Sequence, residues 1–200
     1  MNYNNETSHK IMKVALKLFS EKGYYPTTTR EIASVAGVNE LTLFRHFGSK
    51  SNLFQAATEY TVIDSQVDHI LSNVQNLTFE ESMALIARRI YLLYIKNTLL
   101  YKVQMKLADD EKELVKLKLS RKVMSVLKVY FSDLNEQNIV KGDPEIMAVT
   151  LINSLLGTLT VEILGENTFT QISWERLVEE HAKQFAALYK SEGEEIRNKQ

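Results

Sequence analysis

Glu40, Thr42, Arg45 and His46 lie in one short stretch, ELTLFRHF, around the apolar pair Leu43 and Phe47. In a helix, residues four apart share a face, so Leu43 and Phe47 point one way and the polar side chains another. A carboxylate, a hydroxyl, a guanidinium and an imidazole on one short face can meet base edges and phosphates in a major groove. A solvated surface has the same composition, and the surrounding pattern decides between the two. Just beyond, Ser49 is placed to cap a further helix with Lys50 in its first turn. A cation there opposes the helix dipole by roughly several tenths of a kcal/mol. An incoming phosphate reverses the sign, because free N–H groups and the ammonium would both grip it. The plain alternative for Lys50 is a tolerated surface lysine.

Other chemistries find little support. The chain has no G-x-S-x-G, no Walker loop, no G-x-G-x-x-G and no H-E-x-x-H. His9, His46, His69 and His181 are scattered without ligand spacing, and there are no cysteines. Disulfides, thiol redox sensing and Cys-ligated zinc are excluded. No enzyme, metal or cofactor is expected.

The elements that position the first group are legible. Thr28 to Glu31 has the form of a capping box, which starts a helix at about Thr29. Its inward face is Ile32, Ala33 and Val35–Ala36. Gly37 ends it, because a left-handed residue closes a helix and glycine takes that shape without strain. Asn39 caps the next helix, roughly Glu40 to Phe47. Small Ala33, turn Gly37 and aliphatic Leu43 in that order make a helix-turn-helix. A preceding helix, Ser8 to Lys22, carries the stripe Ile11, Val14, Ala15, Leu18 and Phe19.

From Ile11 to Leu53 the chain resembles the N-terminal domain of TetR-family transcriptional regulators. The matching pieces are ALKLFSEKGY (Ala15 to Tyr24), TTREIA (Thr28 to Ala33), AGV (Ala36 to Val38), TLFRHF (Thr42 to Phe47) and Ser49-Lys50. The resemblance implies a homodimeric regulator with a helical C-terminal domain that usually binds a small molecule. By position, Thr28, Thr29 and Arg30 resemble DNA contacts at the start of the second helix. Glu40, Leu41 and Thr42 match base-reading positions, and Phe44, Arg45, His46 and Lys50 match phosphate-contacting ones. Many members have Tyr where this chain has Phe44. A Phe offers only apolar contact with sugar or a thymine methyl.

The net charge of −1 over 200 residues looks wrong for a DNA partner. Its distribution answers this. Residues 1–55 carry seven basic against four acidic side chains, a net of +3, and the remainder carries −4. Such asymmetry is a better sign of a nucleic-acid footprint than the total. Residues 1–9 are polar, and no apolar run approaches the roughly 18 residues that span a bilayer. No membrane partner and a cytoplasmic location are expected.

Between Ser49 and Lys141 there is neither Gly nor Pro, which reads as long helices in an all-α chain. A fourth helix is expected from Ser49 to about Ser72, connecting a head (1–50) to a larger helical domain (51–190), with residues 191–200 as a polar tail. Thr78 and Glu81 should box the start of a helix running to about Lys96. A shorter helix comes next, over Leu99 to Leu107. Asp109, Asp110 and Glu111 suit another helix start rather than a metal site, and that helix, with Leu114, Leu117, Val123, Leu127 and Phe131, runs to about Leu134. Gly142-Asp143-Pro144 opens an apolar helix to Leu164, and a last helix spans about Ser173 to Tyr189.

Arg88, Tyr91, Tyr94, Tyr101, Met105 and Asn153 are the candidate lining of an effector pocket, with plain core as the alternative. The last two helices are candidates for pairing across a two-fold as a four-helix bundle, through Leu155, Gly157, Leu159, Leu177 and Phe185. Completion of the monomer core is the other use for them. The expected partners are a palindromic double-stranded operator, a second copy of the chain and a small apolar or amphipathic effector. A regulator without an effector, or a helical protein-interaction module, remains open.

Overall fold

Helix ends in the N-terminal region are set by short polar side chains and glycine. The computed structural model describes residues 5–107, 118–165 and 169–191. Helix α1 spans Glu6–Lys22, and Asn5 caps it by accepting from the Ser8 N–H at 2.7 Å. Helix α2 is Thr29–Ala36, with the Thr28 hydroxyl accepting from the Glu31 N–H at 3.1 Å. The Glu31 carboxylate takes the Lys22 ammonium, so the reciprocal half of the box becomes an ion pair with α1. Gly37 sits at φ 67°, and the Val38 N–H donates back to the Ala33 carbonyl at 3.0 Å, which satisfies an otherwise open helix end. Helix α3 is Glu40–Phe47 and α4 is Lys50–Asp64, capped by Asn39 and Ser49.

The described residues divide into two compact units. The first joins 1–65 to 97–118, the second 66–96 to 119–200. In the first, α1 packs against α2, α4 and α6, the last spanning Thr98–Lys106. Ile11, Phe19, Ile32, Leu43, Phe47, Leu53 and Phe54 are fully buried. Phe54 meets Phe19 edge-on at 5.2 Å, which ties α4 into the core of the head. The Lys106 ammonium donates to the Ser20 and Glu21 carbonyls, both at 2.7 Å. It thereby caps the C-terminal end of α1, where carbonyls lack helical partners and the dipole favours a cation.

Two expectations are corrected here. Val35 is 57% exposed, so the buried face of α2 is Ile32, Ala33 and Ala36. Helix α4 stops at Asp64 rather than near Ser72. Gln66 adopts φ 54° and a 3-10 turn comes after it over Val67–His69. A left-handed residue breaks the i→i−4 ladder. The Arg89 guanidinium then takes the carbonyls of Ile70, at 3.1 Å, and Ser72, which a continuing helix would have used itself.

In the second unit, α5 (Phe79–Lys96) starts with a complete capping box. The Thr78 N–H donates to Glu81 at 2.9 Å and the Glu81 N–H donates to Thr78 at 3.3 Å. Helix α7 is Lys118–Glu136, α8 is Pro144–Gly165 and α9 is Trp174–Tyr189. Asp143 accepts from the Glu145 and Ile146 N–H groups at 2.8 and 2.9 Å, as the Gly-Asp-Pro signal requires. Helix α9 packs on α5 and α8, and α5 also meets α8. Met83, Ile90, Tyr91, Phe131, Leu151 and Ala182 are fully buried. Among the described residues no strand forms; one antiparallel bridge pairs Val140 with Lys190.

Helix α8 is, contrary to expectation, long and apolar enough by composition to cross a bilayer, with a mean hydropathy of 1.7. Core helices pass the same test. One face here is buried through Met147, Leu151, Leu155 and Leu159. Asp109, Asp110, Glu111, Leu114, Leu117 and the tail beyond Ser191 lie outside the described residues.

Candidate nucleic-acid interface

Helices α2 and α3 are joined by Gly37, Val38 and Asn39, and the turn leaves one side of α3 outside the core. Leu43 and Phe47 are fully buried and fix the helix. Leu41 and Phe44 remain 59% and 41% exposed, which leaves apolar surface on the solvent side of this eight-residue helix. Arg30 and Arg45 are exposed, and Thr28 stands exposed at the start of α2.

The remaining polar candidates are anchored. The Thr29 hydroxyl donates to the Glu40 carboxylate at 2.6 Å, across the two helices. The Thr42 N–H and hydroxyl both donate to Asn39, at 2.7 and 2.8 Å. The His46 Nδ1 lies 3.1 Å from the hydroxyl of fully buried Ser8, so the ring is held against the first helix. The Lys50 ammonium donates to the Tyr25 carbonyl at 3.2 Å and sits 4.4 Å from the centroid of the Tyr24 ring. Tyr24 in turn contacts Phe54 at 5.1 Å. The lysine that opposes its own helix dipole is therefore compensated by a carbonyl and an aromatic face.

Sequence reasoning missed Ser8, Tyr24 and Tyr25 as supports. Each reaches its partner across at least 25 residues, as in Ser8–His46 and Tyr25–Lys50, and neither periodicity nor capping reports such contacts.

A short three-helix head whose second and third helices make this turn, with a capped helix start beside them, defines a helix-turn-helix head. Residues 11–57, the N-terminal head of this chain, match the family model described as bacterial regulatory proteins, tetR family. An uncharacterised HTH-type transcriptional regulator of Bacillus subtilis, YerO, is 40% identical over 58 residues, which is 29% of this chain and 20% of that protein. The HTH-type negative transcriptional regulator of the icaADBC biofilm operon in Staphylococcus aureus, IcaR, is 38% identical over 50 residues, 25% of this chain and 27% of that protein. The matched stretch thus spans only about a quarter of these curated relatives. The fold likeness reaches further. The fatty acid degradation regulator FadR of Bacillus halodurans superposes with a TM-score of 0.74 at 18% identity, covering 92% of this chain and 96% of that one.

The six candidate pocket residues divide between the two units. Tyr101 and Met105 belong to the first unit, the other four to the second. Asn153 is exposed on α8. Tyr94 is buried with its hydroxyl 3.4 Å from Ser120, and burial pushes its pKa up to about 12. Arg88 and Tyr91 converge through a residue the sequence reading passed over, Trp174. Its indole stacks on the Tyr91 ring at 4.9 Å. Burial first, and then a 2.7 Å hydrogen bond donated to Glu162, push the Tyr91 hydroxyl well above its ordinary value. Trp174 borders a cavity of about 480 Å³ with Arg88, Leu85 and Val178. It borders a second of about 400 Å³ with Glu162, Val161 and Leu177.

Of the five candidate dimer residues, Leu155, Leu159 and Phe185 are buried within the single chain, where they pack in its core. Gly157 is exposed and Leu177 half-buried. The outer face of α8 consists of Ile146, Val149, Asn153, Leu156, Gly157, Thr160 and Leu164, which share a face by helical spacing and carry no charge.

Proposed function

We propose that the protein is a sequence-specific DNA-binding transcriptional regulator, acting in the cytoplasm as a homodimeric repressor. One observation carries the reading: α3, pinned by Leu43 and Phe47, offers solvent a mix of exposed Leu41, Phe44 and Arg45 beside an orienting Thr29–Glu40 bond. Each α3 enters a major groove. Glu40, Leu41 and Thr42 face base edges, while Thr28, Arg30, Phe44, Arg45, His46 and Lys50 meet the sugar-phosphate backbone. The negative-regulator name of IcaR supports repression.

Dimerisation uses the uncharged outer face of α8 around Gly157. A glycine there allows close approach, and a Cβ added to it in the single chain meets nothing within 4 Å. The effector is a small apolar or amphipathic molecule bound beside Trp174, and it releases DNA by favouring a head arrangement that no longer fits the operator. It shifts that balance only by its differential affinity for the two states.

Selection of bound sequences from a random duplex library tests the reading. The expected product is a palindrome with half-sites about one helical turn apart or a little more. Failure to enrich any sequence at low salt would remove DNA reading from the account. The effector site has its own readout, because Trp174 is the single tryptophan of the chain. A compound that releases DNA should change Trp174 emission, and release with unchanged emission would place the effector elsewhere.

A further inference from the structure

The Thr29–Glu40 pair suggests which base this head reads. Glu40 is the first residue of α3, and its carboxylate is the sole acidic side chain on that helix. A carboxylate accepts hydrogen bonds and donates none, and it is repelled by phosphates. Near DNA it is favourable only where a base offers a donor. In the major groove guanine presents two acceptors, thymine an acceptor and a methyl, and adenine a donor beside an acceptor. Cytosine alone presents its amino donor with no acceptor on the same edge.

The geometry shows why the side chain would be ready for this. The Thr29 hydroxyl, itself on the first residue of α2, donates to Oε1 of Glu40 at 2.6 Å, the length of a charge-assisted O–H···O bond. One carboxylate oxygen is thereby held while the other keeps its acceptor capacity. The neighbouring acidic side chain of the head, Glu31, is turned back onto Lys22, so Glu40 is the carboxylate that the turn presents beside α3. A Thr29 committed as donor to Glu40 is also no longer a free donor for phosphate, which changes the role expected of it by position.

We propose that Glu40 is a specificity-determining residue selecting cytosine at one position of each half-site, and that Thr29 is its positioning residue. The proposal rests on the DNA-reading function above. The test repeats the duplex selection with Glu40→Gln, Thr29→Val and Thr29→Ser, each first checked for an unchanged far-ultraviolet spectrum and melting profile.

Wild type should return a palindrome containing an invariant cytosine in each half-site. Replacing that cytosine should weaken binding on the order of tenfold. Glu40→Gln should exchange cytosine for adenine, since an amide pairs with the adenine N6 and N7 edge. Thr29→Val should blur the same position alone, and Thr29→Ser, which keeps the hydroxyl, should restore it. A palindrome whose motif is identical in wild type and Glu40→Gln would overturn the proposal while leaving DNA reading intact. A blurred position in Thr29→Ser equal to that in Thr29→Val would overturn the role of Thr29. No enrichment by wild type would overturn both this inference and the function beneath it.

Discussion

Individual side chains in the head have structural roles, and substitutions can separate these from the recognition roles proposed for them. Gly37 holds φ 67°, and the nearest atom to an added Cβ is the mobile tip of Lys10 at 3.5 Å. Gly37→Ala should therefore cost about 1 kcal/mol from backbone strain alone, read as a lower midpoint in urea unfolding with an unaltered slope. A neutral result would mean that the turn can relax out of the left-handed region. Lys50→Ala is the converse case. Its removal should weaken binding to all duplexes alike and flatten the salt slope by about 0.9 per protomer, the signature of one lost phosphate contact. An unchanged slope would leave Lys50 only its contacts with Tyr24 and Tyr25. At high pH the buried tyrosines matter. Tyr94 titrates near 12 when folded and near 10 in the unfolded chain. The folded state therefore binds more protons in that window, and stability present below pH 10 is lost as pH rises from 10 toward 12. Tyr94→Phe should remove part of that alkaline loss in thermal melts followed across pH, and an identical pH profile would contradict the assignment.

Helices were legible in the sequence where a cap or glycine marked their ends. The Thr28, Asn39, Ser49 and Thr78 caps, Gly37 and the Asp143-Pro144 start all produce the bonds that their residue types predict. The end of α4 was not legible, because Gln66 adopts φ 54° without glycine or proline to announce it and Arg89 supplies the stabilising bonds from a distant helix. The same limit applies to the candidate pocket. Helical spacing grouped Arg88, Tyr91 and Tyr94, but it could not show that Trp174 stacks on Tyr91 from more than eighty residues away. On α8, hydrophobicity on several faces hid which face serves the monomer. The buried Leu155 and Leu159 and the exposed Gly157 resolve it. Gly157→Leu should raise the helical stability of the protomer, since leucine favours helix over glycine by somewhat under 1 kcal/mol, yet weaken self-association through steric conflict with the second copy. Sedimentation equilibrium measures the latter. An unaltered dimer constant would move the interface off this face.

At the scale of the whole molecule, a net charge of −1 is compatible with the proposed DNA binding because the charge is unevenly placed. The first 55 residues are positive, and dimerisation would present that charge twice. Along the chain, α5 belongs to the second unit and the next helix, α6, to the first, where Lys106 caps α1. The central claim is that this head discriminates one DNA sequence from others, beyond attracting phosphates. The most direct measurement is the affinity of wild-type protein for its selected duplex and for a base-shuffled duplex of equal length, across a series of salt concentrations. The account predicts a preference of at least about a thousandfold at physiological salt, with both affinities falling steeply as salt rises. Equal affinity for the two duplexes at every salt concentration would contradict it.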